Sequence, residues 1–178
     1  MIKTVQFEWS FLDSRIKRSR LNTMANQLYD QDLQLWIDQT IQQLKNREFG
    51  SLDVEHLIEE LVDLGRAEKN ALKSNLTILL AHLLKLLVQN DVPDTMKGSW
   101  YSSVLEHRQR VLDNLADTPS LKSLLLETVE KAYHASRKLA IKEGNLAKFG
   151  VRVPAESEYP TICPFSIDQI LDEDFYGI

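Results

Sequence analysis

Hydrophobic positions along this chain recur mainly at the three- and four-residue spacing of α-helices. The pattern predicts five main helices, at about 30–48, 53–64, 66–89, 99–115 and 118–144, and a short helix at 166–171. The segment 145–178 holds three of the five prolines and should be an extended C-terminal strap that carries the short helix. The sequence therefore predicts an all-α, single-domain helical bundle over 24–178, with 1–23 as an N-terminal extension.

The helix predicted at 66–89 has the broadest apolar face, and such breadth indicates a central helix that is contacted from more than one side. Its apolar residues are Leu72, Leu76, Leu79, Leu80, Leu83 and Leu87. The first two predicted helices carry narrower stripes, which we expect to face inward. These stripes are Leu33, Trp36, Ile37, Ile41 and Leu44, followed by Leu57, Ile58, Leu61 and Leu64. Exposure of such a stripe would indicate a homodimer, but the spacing alone does not distinguish an exposed stripe from a buried one.

Glycine, proline and short polar residues predict where these helices begin and end. Gly50 should stop the first helix, and either Ser51 or Asp53 can cap the second. Gly65 either ends that second helix or kinks a longer one. Thr118-Pro119 supplies a capping hydroxyl followed by proline at the first helical position, which predicts the start of the fifth helix.

The strap should dock on the bundle through apolar anchors, since a tail with its charge would otherwise be disordered. Ser166 and Gln169 have the spacing of a capping box at the start of the short helix. The expected anchors are Ile162, Phe165, Ile167, Ile170 and Phe175.

Charge and composition exclude several classes of protein. The net charge is −5, with a balance of +3 over residues 1–23 and of −6 after Arg152. An acidic body argues against nucleic-acid binding, because phosphate neutralisation needs clustered Lys and Arg. The charge-free run SNLTILLAHLL is much shorter than the roughly 20 apolar residues of a membrane span, and no signal peptide is recognisable. The single cysteine, Cys163, allows no internal disulfide. We therefore expect a soluble cytoplasmic protein with no membrane association.

Three stretches of the chain, in order, carry a resemblance to a known family. They are YDQDLQLWIDQTIQQLKNREFGSLDVEHLIEELVDLGRAEKNALKSNLTILLAHLLK, SWYSSVLEHRQRVLDNLADTPSL and CPFSIDQILDEDF. Together they resemble the bacterial domain-of-unknown-function family numbered twenty-nine, over about residues 28–176. The resemblance implies an all-α fold and no established activity. The positions that match its motif are Asp32, Trp36, Asp53, Glu59, Glu60, Gly65, Arg66, His82, Lys85, Trp100 and Arg108.

The N-terminal extension lies outside this resemblance and has two interpretations. Met24 could be the true start, in which case residues 1–23 are an upstream mis-assignment. Alternatively, the extension is a basic, aromatic arm that binds a partner. Its aromatic and basic residues are Phe7, Trp9, Phe11, Arg15, Lys17, Arg18 and Arg20.

One helical face could hold a metal, since His56 precedes Glu59 and Glu60 by three and four residues and His82 could approach from the next helix. Bundle di-metal sites, however, use Glu-x-x-His pairs, and this chain has none. We therefore predict no metal and no cofactor. These carboxylates either interact favourably with the positive end of the helix dipole or are solvated.

A polar cluster is also expected around His82, whose neighbours are almost all leucine. Lys85 lies on the same side, and Arg66, Glu59 or Glu60 could join it. Such a cluster either holds helices in register or lines a cleft that performs acid/base chemistry. The second case makes Glu59, Glu60, Arg66, His82 and Arg108 the catalytic candidates. In the first, we expect Arg108 to pair with a carboxylate, for instance in the LDED tail.

Two functions from different classes remain open. The favoured one is a non-catalytic protein that binds an unidentified protein partner through its acidic surface or its N-terminal arm. The alternative is an enzyme or metal-binding protein that uses the His/Glu/Arg cluster between the second, third and fourth predicted helices.

Overall fold

The computed structural model describes residues 28–146 and 152–177, and all regular elements among them are helical. Residues 28–31 are helical, and five further α-helices follow. They are α1 Leu33–Lys45, α2 Val54–Val88, α3 Asp94–Asp117, α4 Leu125–Leu146 and α5 Ile167–Leu171. Short 3₁₀ segments occur at Phe49–Ser51, Pro119–Leu124 and Glu156–Glu158. The predicted all-α fold is confirmed.

The chain divides into two compact units, Met1–Leu64 and Gly65–Ile178. The boundary falls inside α2, which is one continuous helix of 35 residues. The prediction of separate helices at 53–64 and 66–89 is therefore wrong, and the alternative of one longer helix is correct. Glycine ends a helix when it adopts a left-handed conformation, and Gly65 is not among the described residues with positive φ. Asp53 caps the start of α2 as expected, because its Oδ1 accepts from the His56 amide at 3.4 Å.

In the first unit, α1 ends at Lys45, before the predicted stop at Gly50. Arg47 adopts a left-handed conformation with φ of 61°. The Arg47 amide donates to the Leu44 carbonyl, and the Glu48 amide donates to the Gln43 carbonyl. These two bonds form a Schellman motif, with arginine in the place that glycine usually takes. Hydrogen bonding to the last carbonyls therefore ends the helix without Gly50.

In the second unit, the leucines of α2 form the centre of the core, as the broad apolar face predicts. Its leucines from Leu72 to Leu86 are almost completely buried, and they pack with apolar residues of α3 and α4. The fully buried members on α2 include Leu72, Leu76, Leu79, Leu80, Ala81, Leu83 and Leu84. By length and composition α2 could also cross a membrane: its most apolar 18-residue window has a mean hydropathy of 1.5, and half of that window is buried within the protein.

The boundaries of α3 and α4 differ from prediction for local reasons. α3 begins at Asp94, five residues early, because Pro93 takes the N-cap position and the exposed Gly98 is tolerated inside the helix. The Thr118 side chain makes no capping bond, and a 3₁₀ segment precedes α4. Gly144 does not stop α4. It lies within the helix, where a Cβ would come 2.7 Å from the Tyr159 hydroxyl, so glycine there permits the strap to approach closely.

The strap docks on the second unit. Ser166 Oγ accepts from the Gln169 amide, and the Gln169 side chain accepts from the Ser166 amide, which confirms the capping box. Phe165 and Ile170 are buried, and Ile167 and Phe175 pack against the core. The prediction for Ile162 is wrong, since its side chain is 80% exposed.

Replacement of Gly65 with alanine should stabilise the protein by about 0.5–1 kcal/mol. Glycine in a helix interior loses more conformational entropy than alanine on folding. A Cβ at this position meets nothing within 4 Å, so no steric cost opposes the gain. Urea denaturation would measure the change, with Gly144→Ala as the control that should destabilise the fold. A loss of stability in Gly65→Ala would contradict the view that α2 is uniformly helical here.

Candidate interaction surface

Both helices of the first unit expose apolar side chains that the spacing predicts to be buried. On α2, Ile58 and Leu61 of the expected inward stripe are 55% and 60% exposed, and Val54, which does not belong to that expected stripe, is 51% exposed. We call these three residues the α2 stripe; they follow the i, i+4, i+7 spacing of one helical face. Farther along α2, the leucines from Leu72 to Leu86 are buried in the second unit. The α2 stripe therefore has the apolar spacing that is typical of a core, but its side chains are exposed in the structure.

α1 shows the same departure from prediction. Of its expected inward stripe, only Trp36 is buried, whereas Leu33, Ile41 and Leu44 are each at least 40% exposed. Leu64 on α2 is also 62% exposed, and Leu57 is only half-buried. The inward orientation predicted for these stripes is wrong, because the described part of the first unit offers few apolar neighbours to cover them. Exposed apolar residues concentrated in this way are typical of interaction surfaces.

The exposed apolar residues of the first unit lie in an acidic part of the chain. Residues 28–64 contain nine Asp or Glu and two Lys or Arg, a balance of −7. Residues 65–178 contain fifteen acidic and fourteen basic residues, a balance of −1. Glu55 and Glu59 are exposed and each follows a member of the α2 stripe directly in sequence. Residues 28–64 are thus one of two acidic regions of the chain, the other being the segment after Arg152.

An aromatic cluster braces the first unit beside this surface. The Tyr29 ring stacks on the His56 ring with centroids 4.0 Å apart, and the edge of Trp36 lies against Tyr29 at 5.1 Å. Tyr29 donates a hydrogen bond of 2.6 Å to Glu60, which raises the pKa of Tyr29 to about 12. His56 Nδ1 lies 2.6 Å from Asp53 Oδ2, and this hydrogen bond raises the pKa of His56 above its ordinary value.

Of the predicted metal and catalytic residues in the first unit, the structure brings His56 and Glu60 together through Tyr29. His56 pairs with Asp53, Glu60 accepts from Tyr29, and Glu59 is exposed. Arg66 is exposed on α2, immediately after Gly65. Among the described residues, no group of three or more His, Cys, Asp and Glu is arranged to hold a metal ion.

His82 lies in the second unit and has a mainly structural set of contacts. Its Nδ1 donates to the Ile78 carbonyl at 3.0 Å, since a carbonyl oxygen can only accept. Burial lowers the pKa of His82. Ser103 Oγ is 3.3 Å from the same nitrogen. Because that nitrogen carries the proton for the carbonyl bond, it cannot serve as a base toward Ser103.

Lys85, the predicted neighbour of His82, is buried and paired with Glu143 of α4, whose Oε2 lies 2.7 Å from Lys85 Nζ. The lysine also lies 4.5 Å from the centre of the Trp100 ring. These contacts tie α2 to α3 and α4. Glu143 is the partner that sequence reasoning missed, because a separation of 58 residues leaves no spacing signal.

Arg108 is 1% exposed and holds the end of the strap. Its guanidinium donates to three carbonyl oxygens, those of Ile170, Glu173 and Phe175. Burial lowers the pKa of Arg108, and nearby Asp172 and Glu173 oppose that shift. The predicted contact with the LDED tail exists, but it is made to backbone carbonyls and not to a carboxylate. The hydrogen bonds of the guanidinium thus hold the strap against α3.

A concave region lies between α4 and the strap. A groove of about 400 Å³ is lined there by Tyr133, His134, Ile162, Cys163 and Phe165, among others. Burial raises the pKa of the Cys163 thiol, which disfavours the nucleophilic thiolate. Tyr133 donates to the Pro160 carbonyl and is therefore already used by the fold.

Comparison with known proteins finds one family whose model matches this chain. The model of the family described as domain of unknown function DUF29 matches residues 28–176. No curated protein and no solved structure matches the chain significantly.

Replacement of Arg108 with alanine should destabilise the protein by about 3–5 kcal/mol, since it leaves three carbonyls that have lost their donor. Arg108→Lys keeps the charge but not the forked donors and should also destabilise. Arg110→Ala is the matched control, because Arg110 forms a surface pair with Glu106 and should change stability by less than about 0.5 kcal/mol. Chemical denaturation measures all three. Equal losses of stability in Arg108→Ala and Arg110→Ala would contradict the role of Arg108 in holding the strap.

Replacement of His56 with glutamine should remove a pH-dependent part of the stability. The raised folded-state pKa means that the His56–Asp53 interaction stabilises fully below the unfolded pKa of about 6.5. That contribution is lost as pH rises through the folded pKa. The difference in unfolding free energy between wild type and His56→Gln should therefore be larger at about pH 5.5 than at about pH 8.5. A difference that does not vary with pH, or that grows with pH, would show that the ion pair is not formed.

Proposed function

This chain belongs to the family described as domain of unknown function DUF29, and on that premise we propose that it acts by binding a protein partner through the first unit. The observation that carries the proposal is the exposure of the α2 stripe within a region whose balance of charge is −7. Burial of three such side chains contributes roughly 1.5–3 kcal/mol each before the costs of association. The proposed location is the cytoplasm.

The surface selects the chemistry of its partner. Apolar residues at i, i+4 and i+7 match the side chains of another helix in the same way that helix-in-groove complexes do. Glu55 and Glu59, next to the α2 stripe, favour positive charge on the partner. The proposed partner therefore presents a basic amphipathic helix.

Photo-crosslinking in the cell tests this proposal with a matched control. A photoreactive phenylalanine analogue would replace Leu61, which is 60% exposed, and in a second variant Leu126 of α4, which is 61% exposed. We expect an adduct to another protein at Leu61, with a yield at least about tenfold above that at Leu126. The crosslinked peptide should be basic and amphipathic.

Reversal of the neighbouring charges provides a further check. Glu55→Lys combined with Glu59→Lys should reduce the Leu61 adduct severalfold, because it places positive charge against a basic partner. Equal adduct yields at both positions would contradict the proposal. So would an acidic crosslinked peptide or an adduct to a second copy of this chain.

A further inference from the structure

The groove between α4 and the strap combines an apolar lining with polar groups that the fold leaves available. Its volume of about 400 Å³ lies within the range of roughly 300–1,000 Å³ that is typical of small-molecule sites. The buried side chains of Val129, Tyr133 and Phe165 line it. Leu126 of α4 and Ile162 of the strap line it as well, and they are 61% and 80% exposed. The groove therefore offers apolar surface from both elements to a ligand.

Three polar side chains in the lining are available to such a ligand. Glu130, His134 and Thr161 make no hydrogen bond or ion pair with any other residue that the structure describes. By contrast, the hydroxyls of Tyr133 and Ser166, which also line the groove, are already bonded to the strap. A carboxylate, a neutral imidazole and a hydroxyl all carry lone pairs that accept hydrogen bonds. The groove thus presents acceptors beside its apolar surface.

The charge of the lining determines which sign of ligand it favours. Among the described residues that line the groove, Glu130 is the one Asp or Glu, and none is Lys or Arg. The segment after Arg152, which supplies the strap side, has a balance of −6. An anionic head group would meet this negative charge without a counter-charge. An ammonium group is attracted by it and supplies N–H donors to the acceptors, so the lining favours a cation.

We propose that this groove binds a small primary amine with an aliphatic body, whose ammonium group pairs with Glu130. The aliphatic body covers Val129 and lies between Leu126 and Ile162. Because α4 and the strap both line the site, the bound amine stabilises the docked strap. The site belongs to the second unit and shares no residue with the α2 stripe, so it is a ligand site beyond the proposed protein-binding surface.

A series of ligands with one chain and three head groups tests the proposal. n-Octylamine, 1-octanol and octanoate share an eight-carbon chain, and octylamine is an ammonium ion at neutral pH. In methyl-labelled protein, octylamine should shift the signals of Leu126, Val129 and Ile162 with a Kd below about 1 mM, at least about fivefold tighter than octanoate. Leu105 of α3, which is 55% exposed, is the control that should not shift. Each methylene removed from the amine should weaken binding by about two- to fourfold.

Variants at exposed positions locate the two ends of the ligand. Glu130→Gln should weaken octylamine by about three- to fivefold and leave octanol unchanged, because only the ion pair is lost. Glu127→Gln is the matched control, since it removes the same charge from the same helix but from a carboxylate paired with Lys131. Ile162→Ser should weaken octylamine and octanol equally. Melting temperatures without ligand should be unchanged in all three variants, and octylamine should raise that of the wild type.

Four results would overturn the proposal. The first is equal affinity for the three head groups, and the second is the absence of shifts with octylamine up to about 10 mM. The third is an equal loss of octylamine binding in Glu130→Gln and Glu127→Gln. The fourth is a shift of Leu105 as large as that of Ile162, which would show non-specific binding to exposed apolar residues. A photoreactive residue at Ile162 that crosslinks to another protein in the cell would likewise overturn it, because the groove would then be a protein-binding surface.

Discussion

The packing of leucines along the C-terminal part of α2 is the interaction on which the Gly65–Ile178 unit depends. Leu76, Leu79, Leu80, Leu83 and Leu84 are fully buried, so this helix is surrounded on most of its circumference. Burial of each leucine contributes about 1.5–3 kcal/mol, compared with about 0.5–1.5 kcal/mol for a hydrogen bond between neutral groups. α3, α4 and the strap are positioned by their contacts with this helix.

The polar groups within that core are acceptable because each has a partner. Lys85 pairs with Glu143, Gln89 donates to the Tyr159 hydroxyl at 3.0 Å, and Arg108 donates to three carbonyls of the strap. A buried polar group without a partner costs free energy, so these bonds restrict how the helices and the strap can be arranged. This explains why conspicuous side chains such as Arg108 and Lys85 serve the fold, although their residue types also suit catalysis.

Sequence reasoning predicts the fold well where periodicity and local bonds decide the outcome. The leucine hub, the Asp53 cap of α2 and the Ser166–Gln169 box all follow from short-range spacing, and the structure contains them. It fails at helix ends that glycines suggest, and where a contact distant in sequence decides the outcome. Gly50 and Gly65 suggest helix ends, yet the Arg47 Schellman turn ends α1 and α2 continues through glycine. Spacing also cannot reveal whether Ile58 or Leu61 has neighbours to cover it, and so it predicts an inward orientation for the apolar stripes of the first unit.

The charge of the first unit decides what can cover its apolar stripes. A symmetric dimer through this surface would bring together two copies of residues 28–64, each with a balance of −7, and like charges across an interface cost several kcal/mol. A basic segment instead gains from the same field. Exposure of Ile58 and Leu61 among carboxylates is therefore less compatible with self-association than with a cationic amphipathic helix. The apolar residues supply affinity, and the acids determine which helices can use it.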